Sequence, residues 1–215
     1  GDAAGDNTAF TGGVTATAPS SKSIAGTISA AGAGNIDLGT SATSVTADTT
    51  VGGTSTGQIT LAATTLADGV TLTLGAGAAS PVTTAGIAGT GGGAASNVTI
   101  NVADDGTLPA VTIASIGTDI GTVLVTQSSG TTVTGTTSVA TLDLDDTRNG
   151  QTISFQDDLT VGTAMTAAGQ GYNVSMTGAS NTIAGNTTFS NTGTVTIGDA
   201  AGDNTAFTGG VTATA

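Results

Sequence analysis

Apolar and polar residues alternate in short bursts along the whole chain. Val70, Leu72 and Leu74 alternate with Thr71 and Thr73, and Val98, Ile100 and Val102 alternate with Thr99 and Asn101. Ile153 and Phe155 flank Ser154, and Val195 and Ile197 flank Thr196. A period of two carried by β-branched residues predicts strands with one buried face. Each burst ends at Gly, Asn, Asp or Ser, residues that supply turns. No segment repeats its apolar residues every 3.6 positions, so almost no helix is expected. The bursts start about every ten residues, so two or three strands per coil predict rungs of roughly 20 residues.

A longer period lies over this beat. The 18 residues GDAAGDNTAFTGGVTATA occupy positions 1–18 and return unchanged at 198–215, a period of 197 residues. The chain thus divides into one complete repeat, 1–197, and the start of the next, 198–215. The predicted fold is all-β: a parallel β-solenoid of about ten rungs per repeat, stacked at ~4.8 Å over ~48 Å. Both ends fall inside the same motif and neither shows a polar cap, so further copies of the repeat are the expected partner. The rival fold is a tandem of two β-sandwiches of ~98 residues each. The lone Tyr172, the absence of Trp and the lack of a half-period repeat argue against it.

Composition narrows the interior and the partners. Among 215 residues there are 35 Gly, 48 Thr, four Phe, one Tyr and no Trp, so the core is expected to be built from Val, Ile, Leu and Ala. All fifteen acidic residues are Asp, which favours turns where Glu would favour helices. The net charge is -13 with only Lys22 and Arg148 basic, which excludes a phosphate-binding surface and makes nucleic acid and anionic membrane poor partners. Cys and His are absent, so disulfides, thiolate metal sites and a Ser-His triad are ruled out in this chain. No run of ~18 apolar residues is present, so this segment is not expected to insert in a membrane, and any export or anchoring part is expected outside it.

The phrasing of the strands resembles giant bacterial β-strand-repeat and filamentous-haemagglutinin-like surface proteins and the stalks of autotransporter passengers. The residues that carry the likeness are VTADTTV (45–51), GQITLAATTLADGVTLTLGAG (57–77), QTISFQDDLTV (151–161) and NTGTVTIGDAAGDNTAFTGGVTATA (191–215), continued across the repeat join by PSS (19–21). The resemblance implies a right-handed parallel β-helix, exported and displayed on the cell surface or assembled into filaments. It brings no catalytic motif with it.

Clustered carboxylates are the main candidates for chemistry: GDAAGDN (1–7), ADDG (103–106), LDLDD (142–146) and QDD (156–158). In LDLDD, inward Leu142 and Leu144 place Asp143 and Asp145 on one outer face, with Asp146 and Asn149 in the next turn. Asp143, Asp145 and Asp146 are therefore the candidate Ca2+ ligands, against the plainer expectation that these Asp residues make Asx-turns or keep the surface soluble. The GGxGxDxUx calcium signature is absent. Paired carboxylates also fit glycan hydrolysis, but the aromatic platforms and basic residues that hold a sugar are almost missing, and no enzyme activity is expected. Thr-x-Thr pairs at Thr15/Thr17, Thr54/Thr56, Thr71/Thr73, Thr132/Thr134 and Thr194/Thr196 raise a flat binding face, yet their spacings share no rung period. Sequons at Asn97, Asn173 and Asn186 permit glycosylation. The expected function is a structural module of an extracellular fibre or adhesin stalk; a side face that binds glycan, mineral or ice is the alternative.

Overall fold

The computed structural model describes residues 1–104 and 110–214. Asp105 and Gly106 of the ADDG cluster lie outside the described residues. The described residues contain no helix. Their strands pair in parallel in one 14-stranded and one 9-stranded sheet, and the chain is an all-β parallel β-solenoid of about nine turns.

The coil has three sides. One, called here the third face, is the 9-stranded sheet, which runs from Val14–Thr15 through Ile59–Leu61 and Val111–Ile113 to Val195–Ile197. The larger sheet supplies a front and a back face. Strands such as Lys22–Ala30, Thr43–Gly53 and Leu159–Ala167 cross both, with a break of register at the bend, for example between Ile24 and Gly26. Elsewhere the two faces hold separate strands, as in Thr64–Leu66 followed by Thr71–Leu74, or Ser180–Ile183 followed by Asn186–Phe189.

The about nine turns observed roughly match the expected rung count, although the turns of the coil are less even than the strand beat predicts. Stacked partners on the third face advance by unequal steps. The step Val82↔Val111 is much longer than Val14↔Ile36, and Val111↔Thr131 is shorter than either. Nine turns at ~4.8 Å make the repeat ~43 Å long.

Alternation along each strand becomes columns along the coil. On the third face Ile36, Ile59, Val82 and Val111 stack inward, and so do Ile113, Val133, Phe155 and Met176. The back face contributes Ile28, Val51, Leu74, Ile100, Val125 and Leu144. These side chains are 8% exposed or less, and each contributes about 1.5–3 kcal/mol by leaving water. The interior is not only aliphatic: Phe155 and Tyr172 are among the largest fully buried side chains. Tyr172 donates its hydroxyl to the Leu144 carbonyl at 2.5 Å, beneath the acidic turn at 143–146.

Candidate functional site on the faces of the coil

The acidic turn follows the pattern of its sequence. Leu142 and Leu144 are fully buried, Asp143 is half-buried and Asp145 is exposed. Asp143 accepts a hydrogen bond from the Thr166 hydroxyl one turn on. At the corner that follows, the Asp145 and Asp146 amides both donate to the Val125 carbonyl, at 2.9 and 3.2 Å. Desolvation by the surrounding turn raises the Asp145 carboxyl above its ordinary range, and the Asp143 charge adds to the shift. Burial raises Asp146 as well, reinforced by the Asp104 and Asp145 charges against a lowering bond from the Thr147 amide. Asn149 is committed elsewhere, its Oδ1 accepting the Gly171 amide at 3.1 Å. Among the described residues no three acidic side chains gather as a metal ion requires, so the Ca2+ expectation at Asp143, Asp145 and Asp146 gains no geometric support.

The other Asp and Asn residues divide into two kinds. Some make local turns: Asp37 accepts the Gly39 amide at 2.8 Å, and Asp6 accepts the Asp2 and Ala3 amides at 2.8 and 3.2 Å. Those two bonds hold the Asp6 carboxyl below its ordinary range, and Asp199 and Ala200 do the same for Asp203. Others reach across to the next turn of the coil. Asn35, Asp48, Asn97, Asp158 and Asn173 accept the amides of Gln58, Thr71, Thr122, Ser180 and Thr194 at 2.8–2.9 Å. Sequence reasoning anticipated the first kind and missed the second, because each acceptor is a full turn of chain away from its donor. Of the two basic residues, Lys22 donates its ammonium to the Ser41 carbonyl at 2.6 Å.

Hydroxyls form two ordered arrays. On the back face Thr27, Thr50, Thr73 and Thr99 stack outward on consecutive turns. Leu124 and Asp143 interrupt the column, and Thr166, Thr188 and Thr212 resume it. Beside it runs a second column containing Asp48, Thr71, Asn97, Thr122 and Thr141. The third face carries Thr60, Thr83, Thr112 and Thr132, followed by Ser154, Ser175 and Thr196. No two of the five Thr-x-Thr pairs lie on neighbouring turns of one face, yet columns form because Thr residues outside those pairs complete them. Side chains two positions apart on a strand are ~6.6 Å apart and turns are ~4.8 Å apart, so the back face presents a nearly rectangular lattice of short polar groups.

What the surface can do follows from these parts. It is flat, acidic to neutral and hydroxyl-rich, and the described surface carries almost no aromatic or cationic side chain that would grip an isolated small ligand. No family model, no curated protein and no solved structure matches this chain.

Proposed function

We propose that the chain is a structural repeat of an extracellular bacterial fibre or adhesin stalk, whose copies continue one β-solenoid end to end. The observation that carries this reading is the unchanged return of GDAAGDNTAFTGGVTATA, from positions 1–18, at positions 198–215. About nine turns of a single coil fill the interval. Successive repeats then extend the same coil. Packing supports it. At one end an apolar hollow of ≈ 270 Å³ is lined by Phe10, Val14, Ile24, Ile28 and Leu38. At the other, Val195, Ile197 and Val211 are 37%, 47% and 54% exposed. A further turn stacked on either end would bury these surfaces, at about 25 cal/mol for each Å2 of apolar area covered. The role is mechanical: a stiff spacer with an acidic, Thr-rich coat that resists aggregation. The reading assigns the chain no reaction.

Electron microscopy of a polypeptide carrying several tandem repeats tests it. The expected image is a continuous rod with an axial period of ~43 Å and ~4.8 Å turns. Separate beads on a flexible string would refute it.

A second reading is favoured by the paired columns on the back face. A lattice of hydroxyl, amide and carboxylate groups suits a flat repeating solid, whether crystalline glycan, mineral or ice, better than a single soluble ligand. The two readings are compatible, since a stalk also exposes its sides.

A further inference from the structure

The duplicated segment has one sequence and two placements. Its internal build is the same in both copies: Asp6 Oδ2 accepts the amides of Asp2 and Ala3, and Asp203 Oδ2 accepts those of Asp199 and Ala200, at 2.8–3.2 Å. Its seat differs. In the first copy Asn7–Phe10 pairs with Thr27–Ala30 on the back face, and Val14–Thr15 pairs with Ile36–Asp37 on the third. In the second, Asn204–Phe207 pairs with Ser180–Ile183 on the front face, and Val211–Ala213 pairs with Thr187–Phe189 on the back. The same residues are threaded one face apart.

The Gly-Gly pair inside the segment shows how both seats are accommodated. In the first seat a Cβ on Gly13 would lie 2.5 Å from the Asn35 carbonyl oxygen, while Gly12 has nothing within 4 Å. In the second seat the roles reverse: a Cβ on Gly209 would lie 2.4 Å from the Gly185 carbonyl carbon, while Gly210 has nothing within 4 Å. The first seat therefore needs Gly13, for space and for its φ of +90, whereas the second needs Gly209 for space and Gly210 for its φ of +93; only position 12 of the first seat is free to carry a Cβ. Burial differs too, since Val14 packs against the core in the first seat whereas its counterpart Val211 is 54% exposed in the second.

We infer that this segment is an exchangeable joint whose partner is a second copy of the chain: residues 198–214 of one molecule take the seat on Thr27–Ala30 and Ile36–Asp37 that residues 1–18 of the next molecule hold here. The occupant fits because its sequence is the one already seated there, and the transfer half-buries Val211 while giving up the edge-on contact of Phe207 with Phe189. The resulting contact is head-to-tail, joins unlike ends and repeats without closing, so it builds a linear chain of molecules. In the unmodified chain the tethered 1–18 segment competes at high effective concentration, which keeps exchange weak. This inference rests on the fibre reading and specifies its joint.

The glycine asymmetry supplies the test, made on the full chain by sedimentation velocity. Gly209→Ala strains the donor segment in its own seat and leaves it fit for the other, where the equivalent Gly12 is open. Gly13→Ala weakens the tethered occupant of the acceptor seat. The double variant Gly13→Ala/Gly209→Ala is expected to form dimers and longer head-to-tail species at concentrations where the unmodified chain is monomeric. Adding Gly210→Ala, which strains a backbone at φ +93 in the present seat and in the donated seat also sets a Cβ against Asn35, is expected to return it to monomer. A synthetic peptide of residues 1–18 gives a second readout: it should bind the Gly13→Ala chain, its Gly12→Ala form should bind equally, and its Gly13→Ala form should not. A monomeric double variant, association that survives Gly210→Ala, or a peptide indifferent to which glycine is changed would each overturn the exchange. Rods from covalent tandem repeats alongside any of those results would leave the fibre reading standing and remove only this joint.

Discussion

Phe155→Ala tests whether the coil is held turn by turn. Phe155 is 1% exposed and stacks between Val133 and Met176 on the inner column of the third face. Its neighbours above and below are fixed by backbone ladders, so they have little freedom to collapse into the space left by the ring. A buried Phe→Ala substitution then costs about 3–5 kcal/mol, against a total of roughly 5–15 kcal/mol for a folded domain. With an m-value of about 2 kcal/mol/M, the urea midpoint should fall by about 1.5–2.5 M. Phe155→Leu, which retains most of the volume, should cost less than about 1.5 kcal/mol. Tyr172 is the sole tyrosine in a chain without tryptophan, and its turn is adjacent, through Thr152↔Asn173, so its fluorescence reports the damage directly. Because turns touch only their neighbours, hydrogen exchange should rise in Thr131–Val133 and Asn173–Met176 while Ile36–Asp37 and Ile59–Leu61 keep their protection. A midpoint shift below about 0.5 M, or protection lost evenly to both ends, would refute turn-by-turn packing at this site.

Acid should first stabilise and then destabilise the fold. Asp145 and Asp146 have raised values, so the folded state binds protons more tightly than the unfolded one, and their contribution is lost as pH rises through the folded values. Asp6 and Asp203 have lowered values, so their contribution is present above the ordinary carboxyl value of 3.8 and lost as pH falls below it. The urea midpoint plotted against pH should therefore peak near 3.8, and a steady decline from neutral pH downward would contradict these assignments. On the back face, Thr50→Lys with Thr99→Lys should abolish adsorption to whichever flat solid the native coil binds among ice, crystalline polysaccharide and carbonate mineral, whereas Thr83→Lys on the third face should not. Equal effects from both faces, or adsorption by neither protein, would remove the side-face reading.

The fold was legible because its units are local. Val70–Leu74 and Ile153–Phe155 announce strands through two-residue alternation, and Gly, Asn and Asp announce the corners, so a coil of short parallel strands follows from the chain itself. The count of turns was legible approximately; the length of each turn was not, since it depends on corners that swing from the short step at Val111↔Thr131 to the long one at Val82↔Val111. The same unevenness hid the surface columns. Thr27, Thr50 and Thr73 are evenly spaced, but the step from Thr73 to Thr99 is longer, so no fixed spacing connects the column. The outward placement of Asp143 and Asp145 was readable from Leu142 and Leu144; the bond from Thr166 that occupies Asp143 was not, because its partner arrives a full turn later. Tyr172 had no local signal of burial, as its place is set by the Leu144 carbonyl more than a turn earlier.

Most side-chain acceptors that take a backbone amide from another turn share one polarity. Asn35, Asp48, Asn97, Asn149, Asp158 and Asn173 each present an acceptor to an amide that follows one turn later. A finished turn thus displays in advance groups that its successor needs, and the reverse arrangement occurs at Asn181 and Thr147, which accept the Leu159 and Gly130 amides of the turn before. For a chain that emerges from a ribosome or a secretion pore amino end first, this makes the coil its own template: each turn can be captured as it appears, before the rest of the polypeptide exists.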